Sequence, residues 1–288
     1  MEKFDIIVIG GGPAGVSSAI YATRAGSSVC VFDDNRSKLK EAKDIANFYG
    51  FEKISGEKLF QKGKKQLKEL GIREEEISID FIEKDFERNV FILKASGKDF
   101  EAKAVILATG LKSEAVDKRL EKFAKKNISK CAVCDGFFYK GKDVAVLGSQ
   151  NYALEEAKIL SQVCKNVYIL ADKKCNFESK DNIIVIRENI VEFVGNDNLE
   201  KIVFENNKQI QIDGLFIATG QMGASDIATK LGVVQKNGRI VVNQNCETNI
   251  AGLYAVGDIT EGLCQVSKAV YQGTIAGLES SKYVKTLA

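Results

Sequence analysis

Two cysteines separated by two residues, Cys131-Ala132-Val133-Cys134, have the one spacing in this 288-residue chain that suits reversible thiol chemistry. Such a pair can close a small disulfide and reopen it as a dithiol, and a cationic neighbour or a helix start can lower one thiol's pKa. An acid follows at once, in Asp135-Gly136-Phe137-Phe138, where it could protonate a leaving thiolate. The chain contains no histidine, so imidazole bases, Cys/His pairs and histidine metal ligands are excluded. One Cys-x-x-Cys is only half a structural zinc site, so redox use is the better reading and no metal is expected. The other five cysteines (Cys30, Cys164, Cys175, Cys246 and Cys264) are isolated, and seven is an odd total. A secreted disulfide framework is therefore a poor reading, and small buried apolar residues the ordinary one.

A second chemistry lies at the N-terminus. The apolar run Phe4-Asp5-Ile6-Ile7-Val8-Ile9 ends in Gly10-Gly11-Gly12-Pro13-Ala14-Gly15, a helical stretch covers 16–25, and a second strand over 28–32 ends at Asp33. This is a βαβ unit of about thirty residues, the setting that a dinucleotide fingerprint requires. Gly10, Gly12 and Gly15 let backbone approach a pyrophosphate, the helix start at Pro13 and Ala14 supplies N–H groups, and Asp33 is placed to accept from a ribose hydroxyl.

The elements behind these motifs repeat. Strands are expected at 104–108 and 215–218, each followed by Thr-Gly, as Thr109-Gly110 and Thr219-Gly220. Between them a strand at 143–147 leads through Gly148-Ser149-Gln150-Asn151-Tyr152-Ala153 into a helix over 154–163 and a strand over 167–170, a second βαβ unit. A last strand reaches Gly257-Asp258, and a helix runs from about Gln265 to Tyr283. The fold class is α/β: two Rossmann-like three-layer nucleotide-binding domains, the second inserted in the first. The outer domain spans 1–112 and 222–288, and the inserted one 113–221.

Bulk properties exclude several classes. The chain has 41 Lys and Arg against 39 Asp and Glu, so no nucleic-acid or membrane surface is implied. No apolar run approaches the roughly 18 residues that span a bilayer. The N-terminus enters a strand directly, which leads us to expect a cytoplasmic protein. The lysine-rich stretch 57–73 reads as a solvated helix face.

The motifs Gly10 to Gly15, Asn47-Phe48-Tyr49-Gly50, Ala108-Thr109-Gly110, Cys131 to Phe138 and Gly257-Asp258 occur in the order found in low-molecular-weight thioredoxin reductases, which the chain resembles nearly end to end. The resemblance implies FAD on the Gly10-to-Gly15 loop, with Asp33, Asn47, Thr109, Gly110, Asp258 and Gln265 nearby. It implies that Cys134 faces the flavin, that Cys131 attacks the thioredoxin disulfide and that Asp135 donates the proton. It also implies a homodimer.

The chain departs from that family at its second nucleotide loop. The family has Gly-x-Gly-x-x-Ala, whereas Gln150 stands here where a missing side chain would admit a pyrophosphate, and Tyr152 adds bulk on the same turn. The arginines that clamp the NADPH 2′-phosphate are replaced by Ala171-Asp172-Lys173-Lys174, with no guanidinium fork. A smaller departure, Arg36-Ser37-Lys38 for Gly-Gly-Gln, touches one flavin contact.

This pattern resembles the pyridine-nucleotide-independent branch, the ferredoxin-dependent flavin thioredoxin reductases. A plant-type ferredoxin near −400 mV and a thioredoxin dithiol near −270 mV differ by about 130 mV, which is about 6 kcal/mol for two electrons. An acidic ferredoxin calls for a basic dock. The inserted domain balances 16 Lys and Arg against 16 Asp and Glu, but 113–130 carries Lys118, Arg119, Lys122, Lys125, Lys126 and Lys130 against Glu114, Asp117 and Glu121. Other readings stay open at this level. A dithiol oxidase would take up dioxygen on addition of small dithiols. An NADPH-dependent reductase would need Lys173 and Lys174 to replace the arginines. A flavin redox sensor would turn over no thioredoxin with any donor.

Overall fold

The computed structural model describes residues 1–111, 117–123, 126–220 and 222–287. The expected boundary at 112–113, with Glu114, Lys125 and position 221, lies outside them. The chain divides into two compact units, Met1–Lys112 with Gly223–Ala288, and Ser113–Met222.

The outer unit is built on β1 (Glu2–Ile9), α1 (Pro13–Arg24), β2 (Val29–Phe32), α2 (Gly56–Glu69), β3 (Arg73–Glu75), β4 (Ile79–Asp85), β5 (Val90–Ala95) and β6 (Lys98–Leu107). β1 pairs in parallel with β2 (Ile6 opposite Val29) and with β6 (Ile6 opposite Ala104). The sheet order is β3-β2-β1-β6-β5-β4. Ile6, Ile7 and Val8 are fully buried, the pattern of a strand covered on both faces. β5 pairs antiparallel with β4 and with the first half of β6, so one long strand serves an antiparallel meander and the parallel sheet together. The lysine-rich helix ends sooner than its composition suggests: Leu70 caps it, and Arg73 already pairs opposite Cys30.

The inserted unit contains β7 (Ile128–Ser129), α3 (Ala132–Asp135), β8 (Asp143–Leu147), α4 (Asn151–Ser161), β9 (Asn166–Leu170), β10 (Ile183–Ile186), β11 (Ile190–Val194), β12 (Lys201–Phe204), β13 (Gln209–Gln211) and β14 (Gly214–Ile217). Its parallel sheet runs β10-β9-β8-β14-β7, beside an antiparallel sheet β11-β12-β13. Leu120, Phe123, Phe193, Phe204 and Leu215 form its core.

The chain then returns to the outer unit with α5 (Ala224–Lys230), β15 (Gln235–Lys236), β16 (Arg239–Ile240), β17 (Leu253–Ala255) and α6 (Val266–Thr286). β17 joins the sheet beside β6, with Leu253 opposite Val105. Among the described residues no helix is long and apolar enough to cross a membrane.

The 21-residue α6 lies directly against α1. Gly273 makes this possible, because a Cβ there would stand 2.3 Å from the Ala14 carbonyl oxygen. Gly273→Val should cost about 1–3 kcal/mol through overpacking, read as a lower urea midpoint at unchanged slope. An unchanged midpoint would show that the helices can separate freely.

Candidate active site

β1 delivers the chain into a turn where backbone packs on backbone. A Cβ on Gly15 would lie 1.8 Å from the Gly10 carbonyl oxygen, and one on Gly10 would lie 2.4 Å from that of Ala108. Over Gly12, by contrast, the nearest atom to such a Cβ is Ser37 Oγ at 3.4 Å. α1 begins at Pro13 with no side-chain cap and no acid in its first turn, so its leading amides are left to an anion. These are the features that a dinucleotide pyrophosphate requires.

The other expected residues gather around this turn. Asp33 is 3% exposed and accepts from Gly11 N at 3.1 Å. Its second oxygen pairs with Lys64, which also pairs with Glu74. Lys64 is thus no solvated-face residue: it neutralises the acid at the tip of β2. Thr109 and Gly110 follow β6, and the Thr109 hydroxyl donates to the Gly110 carbonyl at 3.3 Å. A Cβ on Gly257 would lie 3.2 Å from that of Ala14, bringing Gly257-Asp258 to the same helix start. Asn47 and Gln265, 218 residues apart, meet in a 3.1 Å hydrogen bond from Asn47 Nδ2 to Gln265 Oε1. Lys268, which the sequence reading did not single out, donates to the carbonyls of Gly257 and Thr260 at 3.1 Å. Burial pulls its pKa below the usual lysine value, with Asp258 pulling the other way.

In the inserted unit Cys131 and Cys134 form a disulfide, with their Cα atoms 5.3 Å apart. Cys131 is 2% exposed, and Cys134 is exposed. Cys134 N donates to Cys131 Sγ at 3.1 Å. Ser129, absent from the sequence reading, ties the acid to the pair. Its hydroxyl donates to Asp135 Oδ2 at 2.7 Å and accepts from Cys131 N at 3.0 Å. Tyr139 has its pKa raised, first by burial and then by the charges of Asp135 and Asp213. Val133, Phe137 and Phe138 form an exposed apolar rim around the disulfide.

A cavity of about 630 Å³ remains at the carboxyl ends of β8 and β9, lined by Gly148, Ser149, Gln150, Asp172, Lys174 and Glu188 among others. Gly148 is still required, since a Cβ there would meet the Ala218 carbonyl oxygen at 2.2 Å. Gln150 caps α4 and is exposed at the position of the missing glycine. Tyr152 does not fill the loop: it is 2% exposed, and its hydroxyl donates to the Lys130 carbonyl at 3.3 Å. Arg119 lines this cavity and Arg187 bonds to its Cys175 wall, and both are already engaged. Arg119 pairs with Asp117 and donates to the Ile190 and Val191 carbonyls. Arg187 donates to the carbonyls of Cys175 and Phe177.

A parallel-sheet dinucleotide-binding fold with a Cys-x-x-Cys disulfide defines the class of disulfide oxidoreductases. Comparison with known proteins agrees. The pyridine nucleotide-disulphide oxidoreductase family matches residues 4–273, and the chain belongs to that family. It is 31% identical to thioredoxin reductase of Bacillus subtilis (strain 168), covering 99% of this chain and 96% of that one. The crystal structure of the atypical thioredoxin reductase TRi from Desulfovibrio vulgaris Hildenborough superposes with a TM-score of 0.85 at 30% identity, over 98% of each chain. That of a ferredoxin-flavin thioredoxin reductase from Clostridium acetobutylicum gives 0.69 at 34% identity, over 99% of each chain. The chain is a flavoprotein disulfide reductase of the thioredoxin reductase type, and FAD is its cofactor.

Burial pushes the thiols of Cys30 up to about 12 and of Cys164 and Cys246 up to about 11. At pH 8 these thiols stay protonated and unreactive. Cys175 is buried as well, so iodoacetamide on the native protein should label the exposed Cys264 alone, and prior reduction should add Cys131 and Cys134, as read by mass spectrometry. Labelling of Cys30 would contradict the assignment.

Proposed function

We propose that the chain reduces thioredoxin through Cys131 and Cys134 with electrons from reduced ferredoxin, acting in the cytoplasm as a homodimer. The thioredoxin reading draws on the relatives' names and on the disulfide with its apolar rim, Val133, Phe137 and Phe138, a surface suited to a protein partner. The donor reading is carried by one observation. The inserted unit's cavity holds Asp117, Asp172 and Glu188, and the arginine lining it, Arg119, is spent on Asp117 and two carbonyls. A 2′-phosphate would meet Asp172 and Glu188 there, with Lys174 as the lining lysine and no free guanidinium fork. The ferredoxin-flavin reductase among the structural relatives supplies the class of donor.

The outer unit would hold FAD, with its pyrophosphate on Gly10, Gly12, Gly15 and the α1 amides of Ala14 and its neighbours, preceded by Pro13. Asp33 would meet a ribose, and Thr109, Gly110, Asn47, Gly257, Asp258 and Gln265 would line the remainder. When bound, a flavin can take electrons singly from an iron–sulfur donor and give them in pairs to a disulfide. On reduction the Cys131–Cys134 bond breaks, and Asp135, oriented by Ser129, holds the proton for the departing sulfur. Cys131 is buried in the disulfide form, so it becomes the nucleophile only once the pair has opened. Its thiolate attacks the thioredoxin disulfide, and Cys134 then attacks the mixed disulfide, re-forming the pair and releasing reduced thioredoxin.

Under anaerobic conditions, thioredoxin reduction should proceed with reduced ferredoxin and slow at least tenfold with NADPH or NADH. Cys134→Ser should abolish turnover while the protein still copurifies with FAD. Equal rates with NADPH would overturn the donor, and thioredoxin left oxidised with every donor would overturn the substrate. Lys122 and Lys126 are exposed on the segment leading to Cys131. Their joint change to Glu should weaken ferredoxin-driven turnover and flatten its salt dependence, whereas dithionite-driven turnover stays the same.

A further inference from the structure

α4 faces the redox disulfide with two polar side chains one turn apart, Tyr152 and Glu156. They hold the residues on either side of Cys131. The Tyr152 hydroxyl donates to the carbonyl of Lys130, and Glu156 Oε2 accepts from the amide of Ala132 at 2.7 Å. α3 and α4 pack closely, for a Cβ on Gly136 would stand 3.1 Å from Leu160 Cδ2. Glu156 is 1% exposed. Burying a carboxylate is costly even when it is hydrogen-bonded.

We propose that Glu156 is a positioning residue whose charge sets the reducing strength of the Cys131–Cys134 pair. This rests on the redox role of that pair given above. The disulfide carries no charge, whereas the reduced pair can ionise at Cys131, one residue from the amide that Glu156 holds. A negative charge there penalises the thiolate and leaves the disulfide untouched, so the equilibrium moves toward disulfide and the dithiol becomes a stronger reductant. Glu156 also takes up the Ala132 N–H, leaving Cys134 N as the backbone donor to Cys131 Sγ. Other charged or titratable groups flank the pair: Lys130 and Asp135 on its own segment, Tyr139 on the next turn, and Tyr152 and Glu155 on α4. Lys130 acts in the opposite sense to Glu156, and Asp135 is the group that exchanges the proton of the departing sulfur.

The test is an anaerobic equilibrium of the FAD-loaded protein with dithiothreitol buffers, followed by alkylation and counting of Cys131 and Cys134 adducts by mass. In this exchange the Cys131–Cys134 bond breaks while the two thiols of dithiothreitol close into its ring disulfide, two electrons and two protons passing to the protein cysteines. Glu156→Gln keeps the acceptor for Ala132 N–H and removes the charge. It should shift the ratio about tenfold toward dithiol, or about 30 mV upward. Glu156→Asp keeps the charge and should remain within about twofold of the parent. Glu156→Met, apolar and of similar length, should shift in the same direction as Gln and serves if the Gln variant fails to fold. A Gln or Met ratio equal to the parent's, or an Asp variant that moves as far as Gln, would overturn the proposal. The readout is on the chain's own cysteines, so it stands apart from whether ferredoxin or thioredoxin is the partner.

Discussion

A strand that must turn into a helix through touching backbone is the constraint on which both units depend. In the outer unit Gly15 sits on the Gly10 carbonyl and Gly10 on that of Ala108, and no side chain larger than hydrogen fits at either position. That contact fixes the start of α1 at the mouth of the parallel sheet. It also brings together Asp33 from β2, Thr109 from β6 and Gly257 from the far end of the chain. The inserted unit keeps the same first glycine, Gly148, packed on Ala218, because the helix and sheet cannot close without it. The second glycine of its loop serves the ligand and not the packing, and there Gln150 stands. The packing glycine is thus kept in a loop whose ligand-facing position carries a side chain.

Charge separates the two sites further. Around Asp33, Lys64 compensates a buried acid, and the amides of α1 remain open to an anion. In the inserted unit Arg119 and Arg187 are bound to acids or carbonyls of the protein itself. The redox loop follows a third pattern: Asp135 and Glu156 are tied to it through different groups, one through Ser129 and the other through Ala132.

The parallel cores were legible in the sequence because β1, β6, β8 and β14 finish in continuous apolar runs (6–9, 104–107, 144–147 and 215–217) that lead into Gly or Ala-Thr-Gly, signals local to the chain. The antiparallel strands β4 and β5, and the small sheet of β11 to β13, were not read. Their sequences mix charged and apolar residues, as in Ile79–Asp85, and the pairing that fixes them is tertiary. The Cys-x-x-Cys-Asp motif announced its chemistry, but its supports did not. Ser129 and Glu156 carry no motif of their own, and only the fold brings α4 against the disulfide. Lys64 was hidden in a lysine-rich helix whose other members face outward. The Glu-Glu step at 155–156 on an otherwise apolar helix face was the one available hint of a buried acid. Tyr152 was read as bulk on the nucleotide loop, yet its ring turns inward to the redox segment.

The electron entry that we propose for this flavoprotein needs no pyridine nucleotide. Its most direct test is the oxidised flavin absorption band, followed anaerobically after NADPH, NADH or reduced ferredoxin is added separately to the FAD-loaded protein. Ferredoxin alone should bleach the band, and oxidised thioredoxin should restore it. Rapid bleaching by NADPH would contradict the proposal, since Gln150, Asp172 and the Lys173-Lys174 pair would then form a working nucleotide site.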